Sequence, residues 1–86
     1  MNTSTDIHTV EAVVREVLGK HGRLVHDVFR LPRDASLGDA GLTSLASVNV
    51  MLALEAEFGE MPEELLTRSV FRSISSITRA MQSLTA

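Results

Sequence analysis

The apolar positions near the start of the chain recur with the period of an α-helix. Separated mostly by three or four residues, they are Ile7, Val10, Val13, Val14, Val17 and Leu18. Because the charged residues between them fall outside this stripe, the pattern predicts an amphipathic first helix. Gly19 or Gly22 can end it. Residues 1–5 are polar and are expected to form a flexible tail, and residues 3–6 offer several side chains that cap helices.

The segment from Ser44 to Phe58 predicts a second helix that ends at Gly59. Its apolar residues are Leu45, Val48, Val50, Met51, Leu52, Leu54 and Phe58. They cover a wider arc than one packed face requires. Either this helix is nearly surrounded by the protein, or some of these side chains are exposed and available to a partner.

The connection between the first two helices is long, covering residues 19–43. Val25, Val28 and Phe29 favour a short helical turn before Pro32 stops it. Leu37 lies among polar residues and is expected to enter the core. Connections of this length often carry functional residues, and this one ends at the second helix.

The last third of the chain predicts two more helices. Pro62 interrupts the chain, and a short third helix is expected near Leu65 to Val70. Ser73 can then cap a final helix whose apolar positions are Ile74, Ile77, Ala80, Met81 and Leu84. The predicted fold is all-α, a small four-helix bundle with three main helices and a short third one.

The composition limits the possible functions. The chain has 86 residues, 44% of them hydrophobic and 22% charged, which fits one compact domain over residues 1–86. Three Phe are its sole aromatic residues and the net charge is -3, so stacking platforms and a basic surface for nucleic acid are missing. We therefore predict no nucleic-acid partner.

Cysteine is absent, so the chain supplies no thiolate nucleophile and no thiolate metal ligand. A reactive thiol would have to arrive on a cofactor. His8, His21 and His26 do not share a helical face, and no metal site is predicted. Residues 1–9 lack the apolar core of a signal peptide, and no apolar run is long enough to span a bilayer. We therefore expect a cytoplasmic protein without membrane contact.

The candidate chemistry lies where the long connection meets the second helix, at Asp39-Ala40-Gly41-Leu42-Thr43-Ser44-Leu45. Gly41 can adopt backbone angles closed to other residues, and Thr43 or Ser44 can cap the helix. The free N–H groups and the dipole at a helix start stabilise a phosphate attached near Ser44. The alternative is that Ser44 or Thr43 serves as the N-cap and nothing more.

The run Gly-Leu-Thr-Ser-Leu, followed by Val48, Leu52, Leu54, Glu55, Glu57 and Phe58, resembles the acyl carrier protein family, which includes the peptidyl carriers. This resemblance implies the acyl-carrier-protein-like helical bundle with its long first loop, and it implies that Ser44 carries 4'-phosphopantetheine. Phe71 resembles the aromatic residue that is buried before the fourth helix of these proteins. Such a carrier is no enzyme; it tethers an acyl or aminoacyl group as a thioester.

The resemblance also implies a docking surface on the exposed side of the second helix, for which we select Thr43, Leu45, Leu52 and Glu55. Fatty-acid carriers usually have acidic residues after the serine, whereas this chain has Ala46 and Asn49. The nearly neutral surface favours a dedicated partner and an amino acid as cargo over a long acyl chain.

The partners implied by the resemblance are enzymes. A phosphopantetheinyl transferase would install the arm from coenzyme A, an acyl or aminoacyl ligase would load it, and a downstream transferase would take the cargo. The ligase is either an adenylating enzyme of nonribosomal type or a ligase that resembles class II tRNA synthetases.

Two alternatives stay open from the sequence. One is a small helical interaction module without a prosthetic group, whose second helix binds another protein. The other is a helix-turn-helix DNA-binding domain, which is disfavoured because residues 44–58 contain no Lys or Arg to contact phosphate.

Overall fold

The first helix, α1, spans Ile7–His21 in the computed structural model, which describes residues 6–85. The Asp6 carboxylate accepts a hydrogen bond from the His8 N–H at 2.8 Å and caps the helix start. At the other end, the Gly22 N–H donates to the Leu18 carbonyl. The buried face is Val10, Val14, Val17 and Leu18. The first helix is therefore confirmed, while the tail predicted at residues 1–5 lies outside the described residues.

The second helix, α2, spans Ser44–Phe58 and ends at Gly59, whose φ is +99°. Both ends match the prediction. Its buried residues are Ala46, Val50 and Leu54, each four positions after the last. Leu45, the first large apolar side chain of the helix, is 78% exposed. The buried stripe therefore begins one residue later, at Ala46. Since nearly every face of α2 is apolar, packing against α1 and α3 selects which face is buried.

The short third helix consists of two single 3₁₀ turns, Glu63–Leu65 and Val70–Arg72. The predicted span thus begins at the last residue of the first turn, Leu65, and ends at the first residue of the second, Val70, while residues 66–69 lie between the two turns. Leu66 ends the first turn because its backbone leaves the helical region, with φ −88° and ψ +62°.

The last helix, α3, spans Ile74–Thr85. Two serines close its first turn reciprocally. The Ser73 hydroxyl accepts from the Ser76 N–H at 3.1 Å, and the Ser76 hydroxyl accepts from the Ser73 N–H at 3.0 Å. This arrangement satisfies two N–H groups and confirms Ser73 as the cap.

The core forms where α1 packs against both α2 and α3. Leu37 reaches it from the long connection and is fully buried, as predicted. The expected turn before Pro32 is present at Val28 and Phe29, where the Arg30 N–H donates to the Asp27 carbonyl at 3.0 Å, and Val25 lies before it. Val28 alone of that apolar set is buried, while Val25 is 75% and Phe29 62% exposed. None of the helices among residues 6–85 has the length and apolar character needed to cross a membrane.

One arginine of α1 holds the long connection in place. The Arg15 guanidinium donates to the Val28 carbonyl at 2.7 Å and to the Leu31 carbonyl at 2.8 Å. It also pairs with Glu11 at 3.0 Å, and both side chains are 14% exposed. Glu11 pairs in turn with Arg33 of the connection at 3.1 Å. Because Arg15 and Glu11 are largely shielded from water, removing either side chain would leave the charge of the other poorly compensated.

Backbone hydrogen bonds fasten the same connection to the far end of the chain. The Leu37 N–H donates to the Arg72 carbonyl at 2.9 Å, and the Ser75 N–H donates to the Arg33 carbonyl at 2.8 Å. The connection is therefore fixed on both sides before it reaches α2.

Candidate attachment site

A tight turn brings the connection into α2. Gly41 has φ +107°, a region that side chains strongly disfavour. A Cβ atom at this position would also lie 3.2 Å from the Val25 backbone nitrogen. Beside it, the Val25 N–H donates to the Ala40 carbonyl at 2.9 Å. The turn therefore needs glycine for its conformation and for its close contact.

Thr43 is the N-cap of α2. Its backbone is extended, and its hydroxyl accepts from the Ala46 N–H at 3.1 Å. Ser44 is consequently the first helical residue. Of the two candidate caps, Thr43 fills the position, so the interpretation of Ser44 as the cap is wrong. The N–H groups of Ser44 and Leu45 have no intrahelical acceptor at this end of the helix.

The two serines in the first turn of α2 differ in what their hydroxyls do. The Ser47 side chain is half-buried, and its hydroxyl donates to the Thr43 carbonyl at 2.9 Å. Ser44 is exposed, and its hydroxyl has no partner among residues 6–85. Ser44 is therefore the more accessible of these two hydroxyls.

Replacing Thr43 with Ala is expected to lower the free energy of unfolding by about 1 kcal/mol, because the Ala46 N–H loses its acceptor. Urea unfolding followed by circular dichroism measures this loss. Thr43→Ser keeps the hydroxyl and is the matched control, which should retain most of the stability. Equal losses in both variants would contradict a capping role.

The side chains that we selected for docking lie in different environments. Leu45 and Leu52 are 78% and 55% exposed and lie seven positions apart, so they share one face of α2 with the half-exposed Val48. We call these three residues the exposed stripe. Glu55 is half-buried, and its carboxylate accepts from the Met61 N–H at 3.0 Å. Glu55 therefore helps to hold the segment after α2.

Two cavities open beside Ser44. The larger, about 460 Å³, is lined by Ser36, Gly38, Leu42, Thr43, Ser44, Ser47, Arg68, Ser69, Phe71 and Arg72. The smaller, about 220 Å³, is lined by Ser44, Ser47, Val48, Met51, Leu66, Thr67, Arg68 and Phe71. Phe71 is half-buried rather than buried, since it forms a wall of both. No spacing in the sequence indicates that Arg68 and Arg72 line a cavity with Ser44, because only the fold brings these distant positions together.

This site is suited to carrying a phosphate ester. It combines an accessible, unbonded hydroxyl, free N–H groups at a helix start and open space on the side of the segment that precedes α3. The sequence profile of the phosphopantetheine attachment site family matches residues 8–81.

The chain belongs to this family.

Relatives within the family are close over most of their length. An aminoacyl carrier protein of Agrobacterium fabrum is 44% identical over 69 residues, which are 79% of this chain and 83% of the relative. A carrier protein from Agrobacterium tumefaciens, crystallised with an engineered Bradyrhizobium japonicum glycine:[carrier protein] ligase and AMP, superimposes with a TM-score of 0.79. It is 41% identical, and the match covers 84% of this chain and 97% of that one.

A third comparison concerns a loaded family member. The glycylated carrier protein in complex with a Bradyrhizobium japonicum glycine:[carrier protein] ligase superimposes with a TM-score of 0.70 and is 30% identical, over 83% of this chain and 96% of that one. The comparisons confirm the predicted carrier-protein fold, the carrier function and phosphopantetheine as the family's prosthetic group.

Proposed function

We propose that Ser44 is the attachment residue and that its hydroxyl oxygen forms the phosphodiester with 4'-phosphopantetheine. The observation that carries this proposal is the exposed Ser44 hydroxyl, which is unbonded within residues 6–85, at the first position of a helix. Ser47 is disfavoured because its hydroxyl is held by the Thr43 carbonyl at 2.9 Å.

The chain's own residues position the arm and leave the chemistry to the prosthetic group. Thr43 caps α2 and so fixes the direction in which the Ser44 side chain leaves the helix. The N-terminal end of α2 favours the added negative charge. When bound, the arm supplies the thiol that this chain lacks, and that thiol holds the cargo as a thioester. The protein is thus a tether that raises the local concentration of its cargo, and it catalyses no step itself.

For the cargo, we propose an amino acid, with glycine as the first to test. Two observations support it. The relatives named above include an aminoacyl carrier protein and a glycylated carrier protein. The first turn of α2 also contains no acidic residue to attract the basic surfaces of enzymes that act on fatty-acid carriers.

The proposed partners are three enzymes. A phosphopantetheinyl transferase adds the arm from coenzyme A, an aminoacyl ligase related to the glycine:[carrier protein] ligases loads it, and a downstream transferase removes the cargo. We place this cycle in the cytoplasm, where coenzyme A is made. We propose that docking on the ligase uses Thr43, the exposed stripe and the solvent-exposed part of the Glu55 side chain.

We expect Leu52→Glu to reduce loading by the ligase at least tenfold while changing the thermal midpoint little. Leu52 is 55% exposed, so a charge there is hydrated in the free protein but is buried without a partner in the complex. Aminoacylation rates at limiting carrier concentration measure the effect. Phe29→Glu is the matched control, since Phe29 is 62% exposed outside α2. A large loss of thermal stability in Leu52→Glu would show that this side chain serves the fold.

The decisive experiment for the proposed function has two stages. Intact-protein mass spectrometry after incubation with coenzyme A, Mg²⁺ and a broad-specificity transferase should show one added phosphopantetheine, which fragmentation locates on Ser44. Adding ATP, glycine and a glycine:[carrier protein] ligase should then add one glycyl group that hydroxylamine releases. No gain in the first stage, with a control carrier modified in the same tube, would favour an interaction module without a prosthetic group.

A further inference from the structure

We propose that Arg68 and Arg72 bind the phosphodiester of the arm and hold the attached end of the arm against the segment between α2 and α3. This inference rests on the proposed attachment at Ser44. It adds an anion site, built from residues far from Ser44 in the sequence, to the free N–H groups of the helix start.

Arg68 and Arg72 border the space next to Ser44. Both arginines line the larger cavity together with Ser44, and Arg68 also lines the smaller one. Four residues line both cavities: Ser44, Ser47, Arg68 and Phe71. Arg68 therefore borders the same space as the proposed attachment residue on both sides. An anion on the Ser44 oxygen would therefore enter the space that Arg68 and Arg72 border.

The charged side chains that line the two cavities are all basic. No Asp or Glu lines either cavity, although the whole chain has 11 acidic residues against 8 basic ones. Arg15 and Arg33 are paired with Glu11. By contrast, neither Arg68 nor Arg72 has a carboxylate within 4.0 Å anywhere in residues 6–85. Positive charge that no ion pair neutralises is thus located where the arm would add a negative charge.

The backbone of the segment that carries Arg68 and Arg72 is held in place. The Arg72 carbonyl accepts the Leu37 N–H at 2.9 Å, and Leu37 belongs to the connection that leads into Ser44. Between the two arginines, the Thr67 hydroxyl accepts from the Val70 N–H at 3.3 Å. Both guanidinium groups are exposed, so they can rotate onto an added phosphate without breaking an existing ion pair.

The chemistry of the ligand fits arginine. A phosphodiester carries one negative charge that is shared by its two non-bridging oxygens, and the forked guanidinium group can contact both oxygens through two parallel hydrogen bonds. The occupant is therefore the phosphate of the arm itself. An acidic patch on a partner enzyme is the competing occupant, and the experiment separates the two.

The test compares the protein before and after attachment by nuclear magnetic resonance, without any partner present. The Nε–Hε signals of Arg68 and Arg72 are expected to move when the arm is added, while those of Arg79, an exposed arginine on α3, stay in place. The shifts should shrink as NaCl rises from about 0.01 M to about 1 M, because the screening length falls from about 30 Å to about 3 Å.

Variants of the two arginines provide a second test of phosphate binding. In the arm-bearing Arg68→Gln/Arg72→Gln double variant, the ³¹P signal should lose the salt dependence that it shows in the wild type and in Arg79→Gln. Mass spectrometry of each sample establishes first that the arm is on Ser44. If no arm is found there, the proposed function fails, and this inference fails with it.

If the arm is present and the Arg68 and Arg72 signals do not move, this inference alone is overturned. Signals that move only when a ligase is added overturn it as well, and they assign both arginines to partner docking.

Discussion

Ser44→Ala should receive no phosphopantetheine, whereas Ser47→Ala and Thr43→Ser should be modified to completion under the same conditions. The Ser44 hydroxyl is exposed and has no hydrogen bond to another of residues 6–85, so its removal takes away the proposed attachment atom and little else. Because Ala is also a good helix former, the variant should keep its helix content and unfold within about 0.5 kcal/mol of the wild type. Intact mass and circular dichroism give the two measurements.

The contrast between the two serines makes this result specific. Ser47 donates to the Thr43 carbonyl at 2.9 Å, so Ser47→Ala loses a hydrogen bond inside the helix but leaves Ser44 untouched. Modification of Ser44→Ala that disappears in the Ser44→Ala/Ser47→Ala double variant would move the attachment site to Ser47.

Arg15→Met should destabilise the fold strongly, by about 3 kcal/mol. Methionine keeps much of the length and apolar stem of arginine, but it cannot donate to the Val28 and Leu31 carbonyls. It also leaves the Glu11 carboxylate, 14% exposed, with Arg33 as its one charged partner within residues 6–85. For a domain of this size, the loss corresponds to a thermal midpoint lower by more than about 10 °C.

Lys20→Met is the matched control on the same helix. Lys20 and Glu16 are 4.0 Å apart and are 68% and 61% exposed, so breaking this pair should cost less than about 0.5 kcal/mol. Denaturant unfolding of both variants decides the matter. A similarly small effect in Arg15→Met would mean that the long connection is held by its backbone contacts and by Leu37 alone.

The bounds of the two longest helices follow from local signals in the sequence. For α2, an extended Thr43 with a hydroxyl side chain, fifteen residues of helix-forming character and Gly59 at φ +99° all act within a few residues of one another. Leu37 was predictable for a similar reason, since an isolated large apolar residue in a polar connection has few places to go except the core.

Other features depend on tertiary contacts that a single sequence does not reveal. In α2, the small Ala46 is buried while the larger Leu45 is exposed, because neighbouring helices choose among several apolar faces. The segment after Pro62 forms two turns instead of one helix. The arrangement of Arg68 and Arg72 around one cavity with Ser44 is also long-range, since more than twenty residues separate them from Ser44 along the chain.

The attachment of the long connection to the end of the chain has a consequence for synthesis. Leu37 and Arg33 form their backbone hydrogen bonds with Arg72 and Ser75, so the turn before Ser44 lacks these two supports until residues 72–75 have left the ribosome. A transferase that recognises the folded turn must therefore wait until residues 72–75 have emerged. Under this order of events, nascent chains that have not yet exposed residues 72–75 would be poor substrates for the transferase.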